Sequence, residues 1–186
     1  MTRFAVIDTN VLVSGLLTGT SGSPTKLVVD TMLTGTIPFV LSESLLAEYR
    51  EVLLSPAIKA RHGLVEADVD AVLEEVVLYA SIREPGPADP SLALVDLAPA
   101  GDEHLIALLA AVPEAVLVTG DRRLAERVVP WRAVMTPAQF VATLAGAPDA
   151  SPGTGATPDV SAMIGSLKGA ITSEDDYRRH LERRHR

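Results

Sequence analysis

From residue 3 to residue 146, short apolar runs of the kind that make buried strands alternate with longer segments whose apolar residues recur at helical spacing. Parallel neighbours cannot be joined by a tight turn, so strands that each lead into a helix predict a mostly parallel sheet with helices on both faces. The strand-like runs are 3–8, 37–41, 81–83, "EAVLVTGD" and "RAVM". Pro24 opens a helical pattern with Leu27, Val28 and Met32 on one face, stopped by Gly35. Ser42 caps "ESLLAEYREVLLS", whose stripe is Leu45, Leu46, Tyr49, Val52 and Leu53, and which Pro56 ends. Further helices are expected at about 66–80 and over "DEHLIALLAAV", "RRLAER" and "TPAQFVATLAG". The stretch "EPGPADPSLALVDLAPAG" carries four prolines and two glycines and reads as a loop with room for a short strand at 92–95.

The expected fold is therefore a three-layer α/β/α sandwich over residues 1–146. Beyond it, 147–159 is a Pro/Gly/Ala-rich linker, and 160–186 is a tail with five arginines in its last nine residues. With 47% hydrophobic residues in 186, the chain can bury one well-formed core. No apolar run is long enough for a transmembrane helix, and no signal-peptide layout is present. The absence of cysteine excludes disulfides, thiol catalysis and Cys-based zinc sites, and fits a cytoplasmic protein. A net charge of −8 is the opposite of a basic nucleic-acid-binding surface, and 4% aromatic content excludes a base-stacking platform.

The first run, "FAVI", ends in Asp8 and is followed at once by more apolar sequence. A buried, unpaired carboxylate costs several kcal/mol or surrenders its charge, so Asp8 needs a partner. In open parallel sheets ligands gather outside the carboxyl ends of the strands. Asp8 ends the first strand there, Asp121 follows "VLVTG" at another, Asp102 starts a helix facing the same edge, and Glu48 lies off the apolar stripe of its helix. Four carboxylates converging on one edge repel one another unless cations hold them, and Mg²⁺ or Mn²⁺ prefers such oxygen ligands. Singly, each acid has a plainer role: Asp8 or Asp121 as helix cap, Asp102 as an acidic helix start, Glu48 as a solvated helix residue.

In order, "IDTNVLVSGLL", "LSESLLAEYREVL", "DEHLIALLAA" and "VTGDRRL" resemble the PIN domain family, most of all its VapC-like branch of toxin–antitoxin nucleases, over residues 3 to about 142. The resemblance implies a metal-dependent ribonuclease that often forms a homodimer. It implies catalytic acids at Asp8, Glu48, Asp102 and Asp121, with Asp8, Asp102 and Asp121 as ligands to Mg²⁺ or Mn²⁺ and Asn10 and Thr119 as supporting polar residues. RNA is the implied substrate and an antitoxin protein the implied partner. One departure is the third motif, "LAPAGDEHL", where an Asp-Pro-Asp-rich context is usual. Asp102 and Glu103 compete there; Asp102 lies three residues before the apolar Leu105, as in the family. Glu43 competes with Glu48, but suits a first-turn acid better.

His104 is expected on the helix surface and His62 in a loop or at a helix end, while His180 and His185 carry no assigned role. Arg122 and Arg123 suit either a phosphate contact or a helix-start ion pair. "IDTN" and "TGDRRLAE" also loosely resemble haloacid dehalogenase-type phosphohydrolases, yet Asn10 stands where that chemistry needs a second acid. A catalytically silent PIN module for RNA binding is a third reading, which the presence of all four acids does not favour. The segment "GSLKGAITSEDDYRRHL" faintly resembles the toxin-wrapping end of small antitoxins. Two readings of the tail follow: an inhibitor in the same chain, reaching back over a linker that spans about 20 Å, or a disordered solubilising tail.

Overall fold

A computed structural model of the chain describes residues 4–86 and 101–145; the strand considered at 92–95, the linker 147–159 and the tail 160–186 lie outside them. The elements in order are β1 (Ala5–Ile7), α1 (Thr9–Leu17), α2 (Pro24–Leu33), β2 (Val40–Leu41), α3 (Glu43–Leu54), α4 (Pro56–His62), α5 (Glu66–Tyr79) and β3 (Ser81–Ile82). Then come α6 (Glu103–Ala111), β4 (Val116–Val118), α7 (Arg122–Val128), β5 (Val134–Met135) and α8 (Pro137–Ala145).

All strand pairings are parallel. β1 lies beside β4 with Ala5 opposite Val116 and Ile7 opposite Val118, and β4 lies beside β5 with Leu117 opposite Val134. On the other side, β2 pairs with β3, and a bridge from Ala5 to Phe39 joins that pair to β1. The order is thus β3-β2-β1-β4-β5. Alternate residues of a strand point to opposite faces, yet Ala5, Val6 and Ile7, like Val116, Leu117 and Val118, are all buried. Helices therefore cover both faces, which makes the fold the three-layer α/β/α sandwich. From β1 the chain winds outwards one way through β2 and β3, then crosses back to β4 on β1's other side. That reversal opens a crevice at the carboxyl ends of β1 and β4.

The strands are shorter than the apolar runs that announce them. Ile37 and Phe39 are buried like strand residues; Phe39 bridges to Ala5 and its carbonyl accepts from Ser81 N–H at 2.9 Å, and the paired residues of β2 are Val40 and Leu41. One helix departs from expectation. Pro56 does end α3, at Leu54, but it also sits in the first turn of α4, where its missing N–H costs nothing. Gly63 closes α4 with a left-handed φ of 66°. His62 is the last residue of α4; its Nε2 lies 2.9 Å from the Leu53 carbonyl and its Nδ1 accepts from Leu64 N–H.

One contact ties α3 to the sheet, and another packs α1 against α2. The buried Tyr49 hydroxyl on α3 donates to the Ile7 carbonyl at the end of β1. Burial, and then the charges of Asp8 and Glu48, push its pKa well above 10. On α1, Gly15 lets α2 approach so closely that a Cβ there would lie 2.5 Å from both the Thr25 carbonyl oxygen and Val29 Cγ2. Because one of those atoms is backbone, Gly15→Ala is expected to destabilise the fold by about 1–3 kcal/mol. Thermal unfolding checks this, and an unchanged Tm would mean the two helices separate without cost. Among the described residues no helix is long and apolar enough to cross a membrane.

Candidate active site

The end of β1 explains Asp8. Its backbone N–H still follows the sheet, donating to Val118 O at 3.0 Å, before the chain turns into α1. Asp8 is the N-cap of that helix, accepting from Asn10 N–H at 3.3 Å. Asn10 Nδ2 donates to Asp8 Oδ2 at 2.6 Å, and the Thr119 hydroxyl donates to the same oxygen. Asn10 Oδ1 accepts from Gly120 N–H at 3.2 Å, so one amide ties the end of β1 to the turn after β4. Thr119 Oγ1 also accepts from Asp121 N–H at 2.8 Å. Asp121 caps α7, accepting from Arg123 and Leu124 N–H, both on Oδ1. The plain reading of Asp8 and Asp121 as caps therefore holds for part of each carboxylate.

Asp102 stands at a helix start, as its own plain reading has it: it is the N-cap residue of α6, but its side chain makes no capping hydrogen bond. Glu103 instead accepts from Gly101 N–H at 2.9 Å. Glu48, in the middle of α3, accepts from the buried Thr9 hydroxyl at 2.7 Å.

A cavity of about 590 Å³ opens here, and Asp8, Asn10, Glu48, Asp102 and Asp121 all line it. Glu43 and Glu103 are not in its lining. Thr119 stands behind it, buried, with its hydroxyl between Asp8 and Asp121. Val13, Leu17, Val52 and Ile58 add apolar surface to the lining, which also includes Ser14, Thr18 and Arg61.

The carboxylates feel one another. Burial raises the pKa of Asp8, hydrogen bonds from Thr119 and Asn10 oppose that, and the charges of Glu48 and Asp121 add to the rise. Asp102 is pushed up to about 6 by burial and by the charges of Asp8, Glu48 and Asp121, against a smaller pull from His104. Glu48 goes the other way. Burial alone would raise it, but contact with His104 and Thr9 outweighs burial and brings it below 4.5.

His104 corrects the expectation of a surface residue. Its side chain is only 18% exposed, and its Nε2 lies 2.7 Å from Glu48 Oε2, the oxygen that also accepts from Thr9. The contact is an ion pair when His104 is protonated, and it lacks the alignment of a hydrogen bond. Contact with Glu48 raises the ring's pKa, burial opposes it, and the Glu48 and Asp102 charges and the Gly101 backbone add to the rise. Sequence periodicity missed His104 because it reads only the apolar face of α6, where Leu105, Ile106, Leu108 and Leu109 are buried. The available signal was its place in the same first turn as Asp102. Thr9 was missed too, though it follows Asp8 directly. Of the arginines after Asp121, Arg122 pairs with Glu126 at 2.8 Å on the exposed side of α7.

Among the described residues, no three His, Asp or Glu side chains form a group spaced to hold a metal ion. Glu48 is turned to Thr9 and His104. The donor set nevertheless fits a hard divalent cation: all oxygen, acidic, and destabilised by its own repulsion, most plainly at Asp102. A family model described as PIN domain matches residues 5–123. No curated protein matches the chain.

Proposed function

The chain belongs to the PIN domain family, and on that premise we propose that it is a metal-dependent endoribonuclease of the VapC-like kind, the toxin of a toxin–antitoxin pair. Nuclease chemistry, as a rule dependent on a divalent metal, goes with the family. The observation that carries the reading is the set of four mutually repelling carboxylates, Asp8, Glu48, Asp102 and Asp121, lining one cavity at the strand ends. The ordered likeness of its four motifs to the VapC-like branch supports the toxin role.

In this reading Asp8, Asp102 and Asp121 hold Mg²⁺ or Mn²⁺. The bound ion supplies a more acidic water and neutralises charge on the phosphate. Glu48, kept ionised by His104 and Thr9, orients the attacking water by accepting a hydrogen bond from it. Asn10 and Thr119 fix Asp8 so that its oxygens keep one direction, as outer-shell groups do. Hydrolysis then forms one P–O bond from water and breaks the ester P–O bond, the leaving oxygen taking a proton. Thr119→Val removes both the donor to Asp8 and the acceptor for Asp121 N–H, and is expected to lower cleavage 10–100-fold. Initial rates on RNA check this, and unchanged rates would leave Thr119 a structural residue only.

The test is cleavage of a mixed, structured RNA pool by the full chain with Mg²⁺ or Mn²⁺ against EDTA. Metal-dependent cutting supports the reading, and sequencing the cut ends names the target. If the full chain is silent, the same assay after truncation behind Gly146 decides between inhibition by the tail and a silent module. Activity that appears on truncation makes 160–186 the inhibitor; silence in both sinks the nuclease.

A further inference from the structure

The four acids account for only part of the cavity's lining. Val13, Leu17, Val52 and Ile58 give the cavity an apolar wall, Ser14 and Thr18 also line it, and Arg61, from the last turn of α4, lines the same cavity. Leu17, Val52 and Ile58 pack against the core and are only partly buried, so each keeps an apolar surface in the cavity.

Arg61 is exposed, and its guanidinium has no hydrogen bond or ion pair among the described residues. Most other cations there are engaged: Lys26 with Asp30, Arg50 with Glu66 and Asp70, and Arg122 with Glu126. Arg132 donates to the carbonyls of Leu109 and Trp131 and lies over the Trp131 ring. A chain with net charge −8 has many carboxylates with which to pair an arginine. Arg61 instead lines the cavity that the four acids line.

We propose that this wall is a nucleotide subsite for single-stranded RNA. The four aliphatic side chains receive the face of one unstacked base, and the Arg61 guanidinium takes a phosphate next to the one being cut. The inference rests on the ribonuclease reading above and names the residues of this chain that hold the nucleotide beside the one being cut. A cavity of about 590 Å³ lies within the roughly 300–1,000 Å³ usual for ligand clefts. An aliphatic wall gains from contact with a base only when the base is out of its stack, which single strands and loops offer and a duplex does not. Guanidinium suits phosphate because its forked donors match two oxygens. A cation at that point also offsets the repulsion that a polyanion meets on approaching the acids. No aromatic residue lines the cavity, so the base is held by aliphatic contact and not by ring stacking.

The experiment uses the full chain, a fluorescein-labelled single-stranded RNA of mixed sequence, and the same strand annealed to its complement. Binding is read by anisotropy in EDTA over a range of salt, and kcat and KM with Mn²⁺, for wild type, Arg61→Gln and Arg61→Lys. Expected is about tenfold weaker single-strand binding by Arg61→Gln, with the slope of log affinity against log salt reduced by about 0.7. KM should rise by a similar factor with kcat nearly unchanged, Arg61→Lys should recover most of the loss, and the duplex should bind more weakly than the single strand. Equal single-strand binding by wild type and Arg61→Gln, including none by either, overturns the subsite. So does a duplex that binds as well as the single strand. If the full-length wild type does not cleave, the truncation behind Gly146 decides the ribonuclease reading, and the anisotropy comparison still decides whether Arg61 holds RNA.

Discussion

Asp8→Asn is expected to lower metal-dependent RNA cleavage about a thousandfold while the protein stays folded. Asp8 is 6% exposed, sits at the end of β1, and receives hydrogen bonds from Asn10 and Thr119. In the proposed mechanism it is the most rigidly held ligand of the cation. Metal stabilisation of charge in phosphoryl chemistry is worth several kcal/mol, and each 1.36 kcal/mol is about tenfold in rate. The fold should tolerate the change for two reasons. Asn is as good an N-cap as Asp. Burial already disfavours the Asp8 charge, so an uncharged amide relieves a cost. Thermal unfolding in EDTA at pH 7.5 should give a Tm equal to or above that of wild type. Retained cleavage by the variant would remove Asp8 from the chemistry.

The second large effect is a cation-dependent gain in stability that appears only near neutral pH. A carboxyl whose folded pKa lies above its unfolded value stabilises the fold below the unfolded value and loses that contribution as pH rises through the folded one. For Asp102 the window runs from 3.8 to about 6, and Asp8 shifts in the same direction. Moving a fully shielded carboxyl that far is worth about 3 kcal/mol. Asp102 is partly exposed, so solvent screening reduces this to about 1 kcal/mol. His104, raised above 6.5, likewise loses its contribution on the alkaline side. Glu48 runs the other way, since its lowered pKa gives stability above 4.5 that is lost on acidification. Between pH 5 and 7.5 Glu48 is constant, and the Tm in EDTA should fall.

Adding Mg²⁺ or Mn²⁺ at pH 7.5 should reverse that fall, by about 2.7 kcal/mol at a hundred times the dissociation constant. At pH 5, where protons compete for Asp102, the gain should be much smaller. Unfolding curves at both pH values, with cation and with EDTA, check this. A cation effect equal at the two pH values would place the binding elsewhere.

How much of this was legible in the sequence follows from which forces act locally. The parallel α/β/α sandwich was readable because each strand is a short apolar run followed by a helical stripe, and burial on both faces leaves little alternative. Asp8 and Asp121 were readable because each directly follows such a run. Glu48 was harder: its place off the apolar stripe leaves its direction open, and nothing in the spacing of α3 says that it faces Thr9. His104 escaped because its neighbour, Glu48 on α3, is fifty-six residues away in the chain, and a local pattern cannot register that contact. The helix α4 escaped because Pro56 was taken only as an ending, when Ser-Pro can as well be a beginning. Of Val13, Leu17, Val52 and Ile58 in the cavity, only Val52 stands on a stripe that the sequence shows. Only packing shows which core residues leave a face in a cavity.

The most direct measurement is diffraction from crystals of the protein grown with Mn²⁺, collected at a wavelength where manganese scatters anomalously. The expected result is an anomalous peak in the cavity among the carboxylates of Asp8, Asp102 and Asp121, absent from crystals of Asp8→Asn. Well-ordered crystals with no peak there, or a peak that survives Asp8→Asn unchanged, would contradict a metal centre built on these acids.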